Sequence, residues 1–168
     1  LSLSRIEQET GSGKIHFAPG KLSDVIQAAI SVCSKKADEH NVQFIVNGPV
    51  DTVIPMHRTL LQQAITNLAD NAVKYGADNS TVEIAVEKLN DSVCIHVKDQ
   101  GPGIAPEHLE RLFERFYRVD KSRSRDLGGS GLGLAIVKHI VQSHRGKISV
   151  NSEIGTGTIF TIDLPLQS

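Results

Sequence analysis

The feature that most constrains this chain is an alternating apolar row that ends on an acid. Val93, Ile95 and Val97 recur at every second position, so they share one face of a strand, and the next residue on that face is Asp99. The preceding stretch, residues 81–89, alternates in the same way, and Asn90-Asp91 joins the two. This spacing predicts an antiparallel hairpin over 81–89 and 92–98. One face of such a sheet must be covered, and a carboxylate at the end of the covered row needs a partner.

The cover is legible as helices. Leu22, Val25, Ile26, Ala29, Ile30 and Val32 predict a helix over 22–37. Leu60, Leu61, Ala64, Ile65, Leu68 and Ala72 predict a second over 58–75, stopped at Gly76. Short strands are expected at 14–17 and 41–46, a short helical stretch around LFERF, an apolar helix opening at GGSGLGL and running to about Val141, and two closing strands at 147–152 and 158–164. Helices interleaved with hairpins predict an α/β (α+β) two-layer sandwich rather than a doubly wound parallel sheet.

With 168 residues, one compact domain is expected, and a formal net charge of −1 provides no global field for nucleic acid or an anionic membrane. Cys33 and Cys94 stand far apart with no CxxC, which fits a reducing compartment. No apolar run approaches ~18 residues, so the chain reads as soluble. It opens without Met, and Leu1, Leu3 and Ile6 at helical spacing before GSG read as the end of a helix that starts upstream.

Three segments carry candidate chemistry. In NLADNAVKY, Asn67, Asn71 and Lys74 lie along one side of a helix; amide oxygens suit Mg2+ and a lysine suits phosphate. The plainer alternative there is a solvated face with an Asp70–Lys74 pair. In DQGPGI, Asp99 is an acceptor at a strand end, followed by Gly101 and Gly103, which permit tight backbone turns and close approach of a ligand. Gly128, Gly129, Gly131 and Gly133 lead into a helix whose free N–H groups favour phosphate, with Ser130 adding a hydroxyl; no GK[ST] follows, so this is not a Walker A loop. Between them Arg118, Lys121, Arg123 and Arg125 read as a polar lid, expected to be the most mobile region over 118–130, with Phe113 and Phe116 as its core anchors.

Taken together, NLADNAVKY, DQGPGI, LFERFYRVD, GGSGLGLAIVK and GTGTIF resemble in order and spacing the N, G1, F, G2 and final G boxes of the catalytic domains of bacterial sensor histidine kinases. The resemblance implies a Bergerat-type mixed, largely antiparallel sheet packed on helices, shared with gyrase, Hsp90 and mismatch-repair ATPases. It implies that Asn71 binds Mg2+, that Asn67 and Lys74 face the phosphates, and that Tyr75 flanks the nucleotide. Asp99 would take the adenine amino group, with Thr158 in the adjoining water network. Gly101 and Gly103 would shape the pocket, Gly129, Ser130, Gly131, Leu132 and Gly133 the phosphate-side loop, and Arg118 would approach the γ-phosphate as the catalytic cation.

The expected function is therefore transfer of the γ-phosphate of Mg-ATP to a histidine on a separate dimerisation domain. Residues 1–13 would be the end of that domain and a linker, and 14–168 the ATP-binding domain. None of the seven histidines lies in an HExxxP setting, so none is expected as phospho-acceptor and this chain should not phosphorylate itself. The related ATPases carry a glutamate base where this chain has Asn67, and an amide cannot deprotonate water. An ATP-hydrolysing relative and a non-catalytic nucleotide-gated binding module are the rivals. Expected partners are the dimerisation hairpin and, through a homodimeric parent, a response regulator, with no nucleic acid or direct membrane contact for this monomeric piece. The expected location is the cytoplasm; whether the parent is anchored in the bacterial inner membrane is left open.

Overall fold

The computed structural model describes residues 2–11, 15–120 and 129–167. In chain order these form α1 (Leu3–Gly11), β1 (Ala18–Lys21), α2 (Leu22–Glu39), β2 (Gln43–Asn47), β3 (Val53–Met56), α3 (Arg58–Tyr75), β4 (Thr81–Lys88), β5 (Ser92–Lys98), α4 (Pro106–Leu109), α5 (Gly133–Ser143), β6 (Lys147–Glu153) and β7 (Gly157–Pro165). The main sheet has the order β2-β4-β5-β7-β6. Only β2 and β4 pair in parallel; the other three pairings are antiparallel. This is the expected two-layer sandwich.

The hairpin places β5 at the centre of the sheet, and its row Val93, Ile95, Val97 is at most 1% exposed. Phe160, Ile162 and Leu164 of β7 lie opposite Val97, Ile95 and Val93, so two strands contribute one continuous apolar face. Helix α3 lies between α2 and α5 and contributes Leu60, Leu61, Ala64, Ile65 and Leu68, all fully buried. Each of the leucines and the isoleucine stabilises the fold by roughly 1.5–3 kcal/mol relative to its exposed state. No described helix is long and apolar enough to cross a membrane.

Several expectations shift. The strand expected at 14–17 lies at Ala18–Lys21, paired with β3; Phe17 instead meets the His144 ring edge-on at 5.1 Å, and Lys14 lies outside the described residues. Strand β3 has no counterpart in the sequence reading, because Pro55 interrupts a four-residue run and proline belongs only at strand edges. Val32, expected in the apolar stripe of α2, is 63% exposed; the helix turns it away from α3. The helical stretch is only the four residues of α4, and LFERF runs through turns. Phe113 does anchor that segment, edge-on to Phe160 at 6.2 Å. Phe116 does not: it is 69% exposed, with φ of 63° and its N–H bonded to the Gly131 carbonyl. Of the expected lid, residues 121–128 lie outside the described residues.

Both cysteines are buried free thiols. Burial, and then the charge of Asp70, push the Cys33 thiol up to about 11, so it is unreactive.

One buried histidine ties the end of α5 to the start of α3. The Nδ1–H of His144 donates to the Ile140 carbonyl at 2.8 Å and its Nε2 accepts the backbone N–H of His57 at 3.0 Å, which requires the neutral ring. Burial lowers its pKa, and the neighbouring His57 adds to that against the hydrogen bonds. A lowered folded-state pKa means the contribution is fully present above the unfolded value near 6.5 and is lost as pH falls below it. Denaturant midpoints are therefore expected to drop below pH ~6.5, with a slope of up to about 1.4 kcal/mol per pH unit from this ring. His144→Gln should flatten that slope; an unchanged pH profile in the variant would assign the dependence elsewhere.

Candidate functional site

Helix α3, the loop that follows β5, the start of β7 and the start of α5 enclose a cavity of about 490 Å³. That volume suits a nucleotide-sized ligand. Helix α3 contributes Gln63, Asn67, Asp70, Asn71, Lys74 and Tyr75 to its wall, because these project on the side of the helix away from the buried Leu61–Ala64–Leu68 stripe.

At one end lies Asp99, 7% exposed, beside Thr158, 4% exposed. The Asp99 Oδ1 accepts the N–H of Gly101 at 2.8 Å. Burial raises the Asp99 pKa, with the backbone N–H groups of Gly101 and Thr158 partly offsetting it. The hydroxyl of Thr158 pairs with that of Ser152 at 2.8 Å, and Ser152 Oγ also accepts the Ile104 N–H. Gly103, with φ of 78°, also lines the cavity. A Cβ on it would meet the Glu153 carbonyl oxygen at 2.3 Å, so the loop after β5 lies directly on the turn after β6. The Gly155 N–H, bonded to the Pro102 carbonyl at 2.8 Å, closes the same contact.

Gly101 is placed differently from the expectation. It does not line the cavity; a Cβ there would meet the Tyr75 carbonyl at 2.7 Å, so this glycine lets the loop close over the end of α3. Gly76 does the same from the other side: its backbone is extended, and a Cβ would lie 2.3 Å from the Ala72 carbonyl. The glycines shape the site mainly by letting backbones touch.

At the other end Lys74 Nζ bonds Asp70 Oδ2 at 2.9 Å, and Lys36 of α2 bonds Asp70 Oδ1 at 2.8 Å. The Asp70–Lys74 pair of the plainer reading thus exists, inside the cavity wall. Asn71 lies in the same wall, and the Asn67 amide donates to the Gly133 carbonyl at 3.2 Å, tying α3 to the first residue of α5. Gly129, Ser130, Gly131 and Gly133 line the cavity, whereas Leu132, the residue before α5, does not, and its N–H donates to Ser130 Oγ at 3.3 Å. A Cβ on Gly133 would meet nothing within 4 Å. The fold has no steric need for glycine there; the free space opens into the cavity.

Arg118 lines the cavity beside Tyr117. The sequence reading missed Tyr117, whose hydroxyl pairs with His108 and whose ring carries the Arg111 guanidinium at 4.5 Å. It also missed the apolar floor of Leu112, Ile136 and Phe160, because apolar residues in a core pattern look alike whether they face a ligand or another side chain.

An acid at the end of a buried row, an amide-and-lysine helix face and a glycine-lined helix start around one cleft define an α/β sandwich built for a phosphate-bearing ligand. The chain belongs to the histidine kinase-, DNA gyrase B-, and HSP90-like ATPase family, whose model matches residues 56–168. Domains of this family bind ATP. The chain is 45% identical over 141 residues to the sensor-like histidine kinase SenX3 of Mycobacterium tuberculosis, covering 84% of this chain and 34% of that protein. Its fold is similar to the catalytic domain of the histidine kinase ThkA, with a TM-score of 0.79 at 26% identity over 91% of this chain and 97% of that one. It is also similar to the mycobacterial sensor histidine kinase MprB, with a TM-score of 0.77 at 30% identity, covering 91% and 99% of the two chains. A further ThkA structure is a complex with the response regulator protein TrrA. The chain spans about a third of the length of SenX3.

Proposed function

We propose that this chain is the ATP-binding catalytic unit of a two-component sensor histidine kinase, delivering the γ-phosphate to a histidine on a separate dimerisation domain. The observation that carries the reading is the polarity of this cavity. A buried carboxylate, Asp99, lies at one end, and a lysine, amides and a glycine-lined helix start lie at the other. A purine amino group matches the first and a triphosphate the second.

Among the described residues no group of three His, Cys, Asp or Glu could hold a metal ion by itself. The donor set fits Mg2+ arriving on the phosphates, with the Asn71 amide oxygen as the protein ligand. Mg2+ so bound would neutralise charge on the triphosphate. Lys74 and the N–H groups at the start of α5 would hold the phosphates, Gly133 leaving room for their approach, and Arg118 would meet charge developing at the γ-phosphate. Asp99 would orient the adenine ring, with Thr158 beside it.

Transfer is favoured over hydrolysis by the state of Asp70, the acid that α3 contributes to the cavity wall. Burial acts to raise the Asp70 pKa, but hydrogen bonds from Lys36 and Lys74 outweigh it and hold the carboxyl below its usual range. With each oxygen engaged by an ammonium, Asp70 is a poor general base for water. Residues 1–13 are proposed as the end of the upstream dimerisation helix and its linker. In the described part, α1 docks on α5 through buried Leu3 and Ile6. A response regulator, as in the ThkA complex, is the proposed downstream partner of the parent protein.

The test is calorimetric titration with ATP, with and without Mg2+. Wild type is expected to bind in both conditions and more tightly with Mg2+; Asn71→Ala should lose that gain, about tenfold or more, while keeping Mg2+-free binding. Absence of any ATP binding by folded wild type would overturn the reading.

A further inference from the structure

Helix α2 lies outside the cavity, yet one of its side chains reaches the phosphate end. Lys36 Nζ bonds Asp70 Oδ1 at 2.8 Å, and the other oxygen of the same carboxylate bonds Lys74 Nζ at 2.9 Å. Asp70 and Lys74 line the cavity and Lys36 does not. The Lys74 side chain is 14% exposed, against 39% for Lys36, so the inner ammonium is the one held in place.

An acid in a phosphate site needs an explanation. A lone Asp70–Lys74 pair would cancel the lysine's charge before any ligand arrived, and the carboxylate would repel phosphate. With Lys36 present, one negative charge is shared by two positive ones and the cluster keeps a net charge of +1. Asp70 then serves to aim Lys74 without silencing it.

We propose that Lys36 is a positioning residue for phosphate recognition: through Asp70 it holds Lys74 at the phosphate end of the cavity and sets how strongly affinity rises with the number of phosphates. This rests on the nucleotide reading above. The effect is electrostatic, so it scales with ligand charge and fades with salt.

The experiment is titration of this chain with ATP, ADP and adenosine, for wild type, Lys36→Met, Lys36→Arg and Lys36→Glu. Lys36→Met is expected to weaken ATP about three- to tenfold, ADP less and adenosine not at all. Lys36→Arg should restore wild-type ranking, Lys36→Glu should deepen the loss, and high salt should narrow the gap between wild type and Lys36→Met. Lys36→Gln carries the same prediction should Lys36→Met fail to fold. Equal loss for all three ligands would mark a structural role and overturn the proposal, as would no loss for any; both leave nucleotide binding intact. Failure of wild type to bind any of the three would instead overturn the nucleotide reading, and this inference with it.

Discussion

Asp99→Asn is expected to leave the chain at least as stable as wild type while its affinity for ATP falls roughly 30- to 1000-fold. The two effects have opposite signs because they come from the same burial. Asp99 is 7% exposed, and burial raises its pKa, so at neutral pH the fold carries the cost of an ionised buried carboxylate. For a group whose folded pKa exceeds its unfolded one, the fold gains stability as pH falls through the folded value, and above it the cost is present in full. Asparagine removes that cost and its Oδ1 still accepts the Gly101 N–H. The second position then becomes an NH2 facing the proposed adenine amino group. Two donors opposed in a buried site leave both unpaired, at about 2–4 kcal/mol together. Thermal denaturation and calorimetry on one preparation check both signs. A variant that binds ATP like wild type would remove Asp99 from adenine recognition.

Gly103→Val should be the most damaging single change in the loop that frames this end of the cavity, lowering unfolding stability by about 3–5 kcal/mol and the midpoint by about 10 °C. Its φ of 78° is hostile to a β-branched residue, and the new Cβ would lie 2.3 Å from the Glu153 carbonyl oxygen and 3.0 Å from Ile154 Cα. Both are backbone atoms, at the end of β6 and the start of the turn after it, so no rotamer change relieves the clash. Gly133→Ala is the matched control within the same cavity. Its Cβ meets no protein atom, and alanine is the better helix former by up to about 1 kcal/mol, so stability should hold or rise while ATP binding weakens. If both variants lose the same stability, the steric distinction between the two glycines is wrong.

The parts of this architecture that were legible in the sequence are those where local pattern and long-range packing ask for the same thing. The apolar stripe predicts α3 over residues 58–75, and the helix has those limits. The alternating row of β5 leads to Asp99, which is buried as the row requires. What was hidden depends on contacts that no local pattern encodes. Strand β3 exists because β1 pairs with it, despite Pro55. Phe116 carries an apolar side chain outward because its backbone N–H is committed to Gly131 across the segment. The Asp70–Lys74 pair is visible at i and i+4, but the third member, Lys36, lies 34 residues from Asp70 and is found only where α2 meets α3. The glycines of DQGPGI were read as places for tight turns and close approach of a ligand, but what approaches each is backbone, the end of α3 for Gly101 and the end of β6 for Gly103, and no local pattern encodes those partners.

The cavity wall draws on residues from Gln63 to Phe160, carried by two helices, one strand and the loops between elements. No short stretch of the unfolded chain could reproduce it. Any ligand that fills it therefore binds the native state alone, and its binding energy is added to the folding equilibrium: about 2.7 kcal/mol at a free concentration one hundred times Kd. With the proposed nucleotide as that ligand, its free concentration acts on this domain as a thermodynamic reserve, and the fold is expected to be more durable where nucleotide is abundant than where it is scarce.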